Sequence, residues 1–278
     1  MIRAAVLGAD VSKSRSPAIH RAAFRALGVT GTYEALSVDA GGFEALVADL
    51  RARGYRYLNV TIPHKHAAAA LTRARGPEAR AAGAANTLIF TPASRARSAS
   101  IRAENTDGAG LLAALADLGV TPRGARVVMV GAGGAAAGAL EALTRAGATV
   151  TLLARRPGPA RALRLGFSAR QRARVVVRTL TNDALARALP GATSLVSAVP
   201  AAAWNASMCA ALRGMDRGTA VLEMAYGGRT PLGAAVRGRS TRYADGLGML
   251  VHQAARAVEL ALGEAPPVAP LFRAARAR

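Results

Sequence analysis

Residues 127–143 read VVMVGAGGAAAGALEAL, and this stretch sets the fold class of the whole chain. It is a strand-like apolar run, a glycine turn and an alanine-rich helical run. Gly131, Gly133 and Ala136 fit G-x-G-x-x-A. In that pattern the first glycine makes a tight turn and the second lets a pyrophosphate approach the backbone. The small third residue lets the helix pack on its strand, and the helix N-terminus faces the phosphates. In a chain with 29 glycines the pattern alone is weak. The readable strand before it and helix after it give it meaning, against the competing reading of a glycine-rich structural turn.

The next strand-like run, TVTLLARRP, indicates which dinucleotide is expected. NAD-specific sites usually carry an acid near the end of this strand, on the ribose 2′-hydroxyl. Here the end is Ala154-Arg155-Arg156, with no acid. A carboxylate would repel a 2′-phosphate, whereas guanidinium forks match phosphate oxygens. The residues therefore favour NADP.

Working outward, strand-like and helix-like segments alternate, which predicts an α/β fold with parallel sheets. Strands are expected at 2–8, 32–38, 55–62 and 86–90. After the helical DGAGLLAALADLG (107–119), a second series follows at 125–131, 148–154, 173–180, 193–199 and 219–226. The loop TPASRARSAS (91–100) reads as a polar hairpin tip. The helical segment 243–263 is expected to pack back on the first series. Two domains are predicted: residues 1–108 with 246–278 as a substrate-binding α/β domain, and 109–245 as a Rossmann-like, doubly wound nucleotide-binding domain, with a cleft between them.

Composition narrows the function classes. Half the residues are hydrophobic, so the chain reads as globular. No run approaches the roughly 18 apolar residues of a membrane span, and the apolar start is too short for a signal-peptide core. Cys209 is the single cysteine and the four histidines form no HExxH pattern, so a cytoplasmic protein without metal is expected. The net charge of +21 invites a nucleic-acid reading. The arginines are scattered, however, and eleven aromatic residues form no base-stacking motif. No specific nucleic acid and no membrane are expected as partners, only a small-molecule substrate; a monomer and a homodimer are both compatible with the sequence.

There are 35 arginines and only two lysines, Lys13 and Lys65. Lys65 ends the string NVTIPHK (59–65). Three further strings in the first series, SKSRSPAIH (12–20), GAANTL (83–88) and ENTDGAG (104–110), are also rich in small polar groups that a core would not choose, as is ADGLGMLVHQA (244–254) near the end. A dehydrogenase exchanges a proton as hydride moves. An amine can release one when its surroundings favour the neutral form, whereas a guanidinium stays protonated. A lysine where the chain otherwise writes arginine thus suggests a requirement for an amine.

These five strings, with the GAGGAA loop between them, resemble the motif set of shikimate dehydrogenases, in the same order and at similar spacing from residue 2 to about 265. The resemblance implies NADP-dependent, reversible reduction of 3-dehydroshikimate to shikimate in aromatic amino-acid biosynthesis. It implies that Lys65 and Asp107 are the catalytic pair, with Lys65 the proton donor and acceptor. It further implies Ser14, Ser16 and Tyr226 as carboxylate contacts, and Thr61, Asn86, Asp107 and Gln253 as partners of the ring hydroxyls. Gly131, Ala132, Gly133, Gly134 and Ala135 would cradle the cofactor phosphates, Arg155 and Arg156 would hold the adenosine phosphate, and Met224 and Gly246 would line the nicotinamide. Structural readings coexist with these: Ser16 as a helix N-cap before Pro17, Asp107 as the cap of DGAGLL, Met224 as a core side chain.

Departures are visible too. Ser197-Ala198-Val199-Pro200 replaces an Asn-Ala-Thr-Pro-like string, which puts nicotinamide-side affinity in question. Glu223 stands in place of an aspartate, and Lys13 in place of a histidine. Alternatives at this stage are a relative that also takes quinate or prefers NAD, and, in another class, a non-catalytic nucleotide sensor or a basic nucleic-acid-binding protein. Retention of both serines favours shikimate; retention of Lys65 and Asp107 favours an enzyme.

Overall fold

The computed structural model describes residues 1–91, 100–238 and 242–277. The chain forms two compact units, Met1–Gly110 with Leu250–Arg278, and Leu111–Met249. It passes from one to the other inside two helices, α5 and α12 below.

The first unit contains β1 (Ile2–Gly8), α1 (Ser16–Ala26), β2 (Gly31–Ser37), α2 (Phe43–Ala52), β3 (Tyr57–Val60), α3 (Lys65–Ala70), α4 (Pro77–Ala82), β4 (Thr87–Thr91) and β5 (Ser100–Glu104), and α5 (Asp107–Asp117) begins in it. The sheet order is β2-β1-β3-β4-β5. The pairings of β1 with β2 and β3 are parallel, but β3–β4 and β4–β5 are antiparallel. The sheet is mixed: parallel around β1, as the alternation of segments predicts, and antiparallel at β4–β5, as the hairpin expected at 91–100 requires. For β4–β5 the connection from Thr91 to Ser100 is too short for a parallel partner, which needs a crossover of a dozen or more residues. The β3–β4 connection is long enough for one, and its antiparallel pairing has no such explanation. Residues 92–99 of the predicted hairpin tip lie outside the described residues.

Side chains alternate across this sheet as the strand period requires. On one face Leu58 and Val60 of β3 join Leu7, Phe43, Leu50 and Leu88 in a buried core. On the other, Tyr57 meets Phe24 edge-on and lies tilted against His20.

The second unit contains β6 (Arg126–Val130), α6 (Gly134–Arg145), β7 (Thr149–Ala154), α7 (Pro157–Leu165), α8 (Ala169–Arg172), β8 (Val175–Thr179), α9 (Asn182–Ala188), β9 (Ser194–Ser197), α10 (Ala206–Ala211), β10 (Ala220–Glu223), α11 (Pro231–Val236) and β11 (Tyr243–Ala244). Then come α12 (Leu247–Leu262) and α13 (Val268–Arg276). The sheet order is β11-β10-β9-β6-β7-β8, every pairing parallel. Val127 and Met129 face one core cluster while Val128 and Val130 face another. Burial on both faces is what a doubly wound parallel sheet demands. The strand order reverses between β6 and β9, and the carboxyl ends at such a switch point form the ligand crevice of this architecture.

Two local expectations shift. Ser16 is the first residue of α1 rather than its cap. Arg15 occupies the cap position in helical geometry (φ −84°, ψ −7°), and no side chain caps the helix. The predicted helical segment 243–263 begins instead with the short strand β11, and its helix starts at Leu247.

Candidate active site

Lys65 opens α3 directly after the turn Thr61–His64. That turn is pinned from several sides. Thr61 N–H donates to Leu7 O (2.8 Å), and His64 N–H donates to Thr61 O (3.0 Å). The His64 ring stacks on Phe43 with centroids 4.6 Å apart, and its Nε2 bonds Val38 O at 2.9 Å. Lys65 O accepts from Ala85 N–H (2.8 Å). The ammonium group is thus aimed by backbone as well as by its partner: Nζ donates to Asp107 Oδ2 at 2.6 Å, with side-chain exposures of 9% and 2%.

Asp107 is the first residue of α5, and its backbone N–H is taken by Asn105 Oδ1 (3.0 Å). Its carboxylate is directed away from capping: Oδ2 takes the lysine, and Oδ1 accepts from Asn86 Nδ2 (3.0 Å). The same Asn86 amide also reaches Thr106 Oγ1 and Gln253 Oε1, both at 3.0 Å. Asn86 Oδ1 accepts from Thr106 N–H (2.9 Å). Lys65, Asp107, Asn86 and Gln253 therefore form one hydrogen-bonded set.

Behind it lies a polar layer that sequence reading did not single out. Asn59 Nδ2 donates to Asn86 O (3.3 Å) and Thr87 Oγ1 (3.1 Å), and Asn59 Oδ1 accepts from Tyr33 Oη (2.7 Å). His20 stacks on Tyr33 at 4.1 Å and bonds Tyr57 Oη at 2.6 Å. Burial drives the His20 pKa down to about 3 and raises both tyrosines well above their ordinary value. All three rings are neutral at pH 7, so the ions of this layered network are Lys65 and Asp107 alone. A buried pair of this kind loses hydration on both groups and is held by its mutual attraction and by added hydrogen bonds. Asn59, Asn105 and Thr106 all stood inside the strings NVTIPHK and ENTDGAG; the clustering of small amides and hydroxyls was their signal.

Ser14, Ser16 and Thr61 lie outside the bonded set: Ser14 and Thr61 are on the loops after β1 and β3, and Ser16 is the first residue of α1, which the β1 loop leads into. Those strands are parallel, so both loops emerge at the same end of the sheet. Ser14 Oγ accepts from Ser16 N–H (3.2 Å). Gly8 is required beneath Thr61, since a Cβ there would collide with the threonine methyl.

In the second unit, α6 starts at Gly134 with Gly133 as its cap residue. Gly131 has φ +108°, and a Cβ on it would sit 2.7 Å from Ala198 O. Above Gly133 a Cβ would meet nothing within 4 Å, leaving the backbone open. Ala136 is buried in the core, as the packing role requires. Ala132, Gly134 and Ala135 complete the turn, and Arg155 and Arg156 are exposed after β7. Met224 is half-buried against the core, and Gly246 lies backbone to backbone with it: Gly246 N–H donates to Ala225 O (3.0 Å), and a Cβ would run into Met224. Tyr226 is half-buried in the segment after β10. The glutamate at 223 is accommodated by Thr230 Oγ1 (2.5 Å) and Tyr243 Oη (3.0 Å), which both donate to Oε2. Burial, with the Glu223 charge adding to it, pushes the Tyr243 hydroxyl up to about 12. Among the described residues no group of three or more His, Cys, Asp or Glu could hold a metal, and no helix is long and apolar enough to cross a membrane.

A glycine turn at the switch point of a doubly wound sheet, with a second α/β unit carrying a buried lysine–carboxylate pair, is the make-up of a two-domain NAD(P)-binding oxidoreductase. Comparison with known proteins narrows this. A family model described as the shikimate dehydrogenase substrate binding domain matches residues 6–88, and an NAD(P)-binding model matches residues 118–221. The shikimate dehydrogenase (NADP(+)) of Acidiphilium cryptum is 37% identical over 286 residues, covering 99% of this chain and 95% of the relative. That of Rhodopseudomonas palustris is 40% identical over 275 residues, covering 98% and 94%. The crystal structure of Mycobacterium tuberculosis shikimate dehydrogenase superposes with a TM-score of 0.84 at 32% identity, over 99% of both chains. The Thermus thermophilus enzyme, in complex with NADP(H) and shikimate, gives 0.79 at 29% over 99% of both. The chain belongs to the shikimate dehydrogenase family.

Proposed function

We propose that this chain is a cytoplasmic, NADP-dependent dehydrogenase that reversibly reduces 3-dehydroshikimate to shikimate. The observation that carries the reading is the buried Lys65–Asp107 pair, 2.6 Å apart, within a family whose named relatives are shikimate dehydrogenases (NADP(+)).

Reduced NADP, when bound, supplies the hydride that forms the new C–H bond at the C3 carbonyl carbon. Lys65 Nζ gives a proton to the oxygen as it gains alkoxide character, so that O–H forms and N–H breaks; the neutral amine is then reprotonated from solvent. In the oxidative direction Lys65 takes the hydroxyl proton. Asp107 holds Nζ through Oδ2 and accepts a substrate hydroxyl. Asn86 and Gln253 present an amide pair to the ring hydroxyls, with Thr61 beside them, and Ser14, Ser16 and Tyr226 receive the carboxylate. In the second unit the backbone of residues 131–135 takes the pyrophosphate, where Gly131 tolerates no Cβ and Gly133 leaves its surroundings open. Arg155 and Arg156 take the 2′-phosphate, with no acid at the strand end to repel it, and Met224 and Gly246 line the nicotinamide.

The test is the initial rate of NADP⁺ reduction with shikimate, repeated with NAD⁺ and with quinate. Turnover with shikimate and NADP⁺ well above the other three combinations is expected; no turnover with shikimate from folded protein contradicts the proposal.

A further inference from the structure

The string Ser197-Ala198-Val199-Pro200 stands at the switch point of the nucleotide sheet, and its geometry is tied to a residue with no assigned role. Ser197 is the last residue of β9, fully buried, in register with Val130 of β6 on one side and Glu223 of β10 on the other. Its two neighbours therefore immediately precede Gly131 and Met224. Ser197 O accepts from Met224 N–H (2.8 Å), and the next residue, Ala198, donates its N–H to Val130 O (2.8 Å). Ala198 O and Val199 Cγ1 fill the space where a Cβ on Gly131 would sit, at 2.7 and 2.8 Å. The loop after β9 thus presses directly on the glycine turn.

What holds that loop is Trp204. It is the single tryptophan of the chain and is 2% exposed. Its indole Nε1–H donates to Ser197 Oγ at 2.8 Å, closing residues 198–203 into a strapped loop. The ring is embedded in the core cluster with Val130, Leu195, Val221 and Leu232. One end of the loop is fixed by the sheet and the other by the buried indole, and Ser197 Oγ joins the two.

We infer that Ser197 and Trp204 are positioning residues for the dinucleotide: their hydrogen bond sets the height of residues 198–200 against the Gly131 turn and so the width of the crevice that receives the cofactor. The inference rests on the proposal that this unit binds NADP. A loop strapped through a side-chain hydrogen bond needs no contact between either residue and the cofactor; both act through Ala198 and Val199.

The test uses Trp204→Phe, which keeps the aromatic packing and removes the N–H, Ser197→Ala, which removes the acceptor, and the double variant. NADP⁺ and NADPH binding is measured by calorimetry, alongside KM for shikimate and thermal unfolding. Each single variant should weaken cofactor binding about three- to tenfold, the worth of one net hydrogen bond. The double variant should be no worse than the singles, because both remove the same bond. KM for shikimate should stay at the wild-type value. Cofactor affinity unchanged in both single variants, with only the unfolding temperature lowered, overturns the inference while leaving the functional reading intact. Wild-type protein that is folded yet binds no dinucleotide overturns both.

Discussion

In the first unit, Lys65, Asp107, Asn86 and Gln253 are tied together by side-chain hydrogen bonds of 2.6–3.0 Å. In the second, the corresponding work is done where side chains are missing: Gly131 at φ +108°, Gly133 with open space above it, Gly246 against the Met224 backbone. The two halves of the reaction explain the difference. Proton transfer needs one ionisable atom held at one place, so the first unit surrounds it with partners that fix it. In the proposed function a pyrophosphate and two nucleosides would be held by backbone and by exposed arginines, and the second unit leaves the space above Gly133 clear for them. Damage to the first should be felt in kcat and in electrostatic stability; damage to the second, in cofactor affinity.

The largest expected effect tests the burial of the Lys65–Asp107 pair. Lys65→Met leaves Asp107 buried without its counter-charge and should lower the free energy of unfolding by about 3–5 kcal/mol. Combining it with Asp107→Leu should recover much of that loss, as read by urea denaturation. A single-variant cost near zero would mean the pair is hydrated. Gly131→Ala strikes the other unit. Its positive φ and the 2.7 Å approach to Ala198 O should together cost about 2–4 kcal/mol of stability, and NADP affinity should fall with it while shikimate affinity holds.

A smaller effect comes from His20, kept neutral in the folded state with a pKa of about 3. The unfolded chain takes up a proton on this residue near pH 6.5, so more protons are bound when unfolded and stability falls as pH drops below that value. The contribution is complete above pH 6.5 and is lost by about 2 kcal/mol between pH 7 and 5. Denaturation curves of wild type and His20→Gln at both pH values should differ by that amount; equal slopes would show that His20 is not held neutral. The mildest change is at the exposed arginines. Arg155→Ala or Arg156→Ala should each weaken NADP⁺ about tenfold and leave NAD⁺ unaffected; equal losses for both cofactors would refute a 2′-phosphate role.

The nucleotide sheet was the more legible half. Its strands are continuous apolar runs, such as Val127–Val130, and one of them ends in a glycine turn, a local contrast that a linear reading captures. In the first unit the legible signal is the polar character of short strings, and four residues named from them, Lys65, Asp107, Asn86 and Gln253, are hydrogen-bonded to one another. Long-range contacts are the harder part: Gln253 meets Asn86 across 167 positions, no periodicity in the chain announces that contact, and only the family resemblance groups the two residues. The Tyr33–Asn59–Asn86 layer and the Trp204 strap escaped for the same reason, since each joins a side chain on one element to an acceptor on another. The antiparallel β4–β5 pair follows from a connection too short for a crossover and is implied by the hairpin reading of 91–100, whereas the antiparallel β3–β4 pair, joined by a long connection, leaves no such trace in the sequence. The assignment of Ser16 as a cap failed because Arg15 already adopts helical geometry.

The central claim is that the proton passes through Lys65 Nζ, in a chain that otherwise uses arginine. The most direct test is kcat for shikimate oxidation by Lys65→Ala and Lys65→Arg side by side. Alanine removes the amine; arginine keeps the positive charge beside Asp107 but does not release its proton at working pH. Both should lose about 10²–10⁴ in kcat, with cofactor binding kept. Near-normal turnover in either variant would contradict the account.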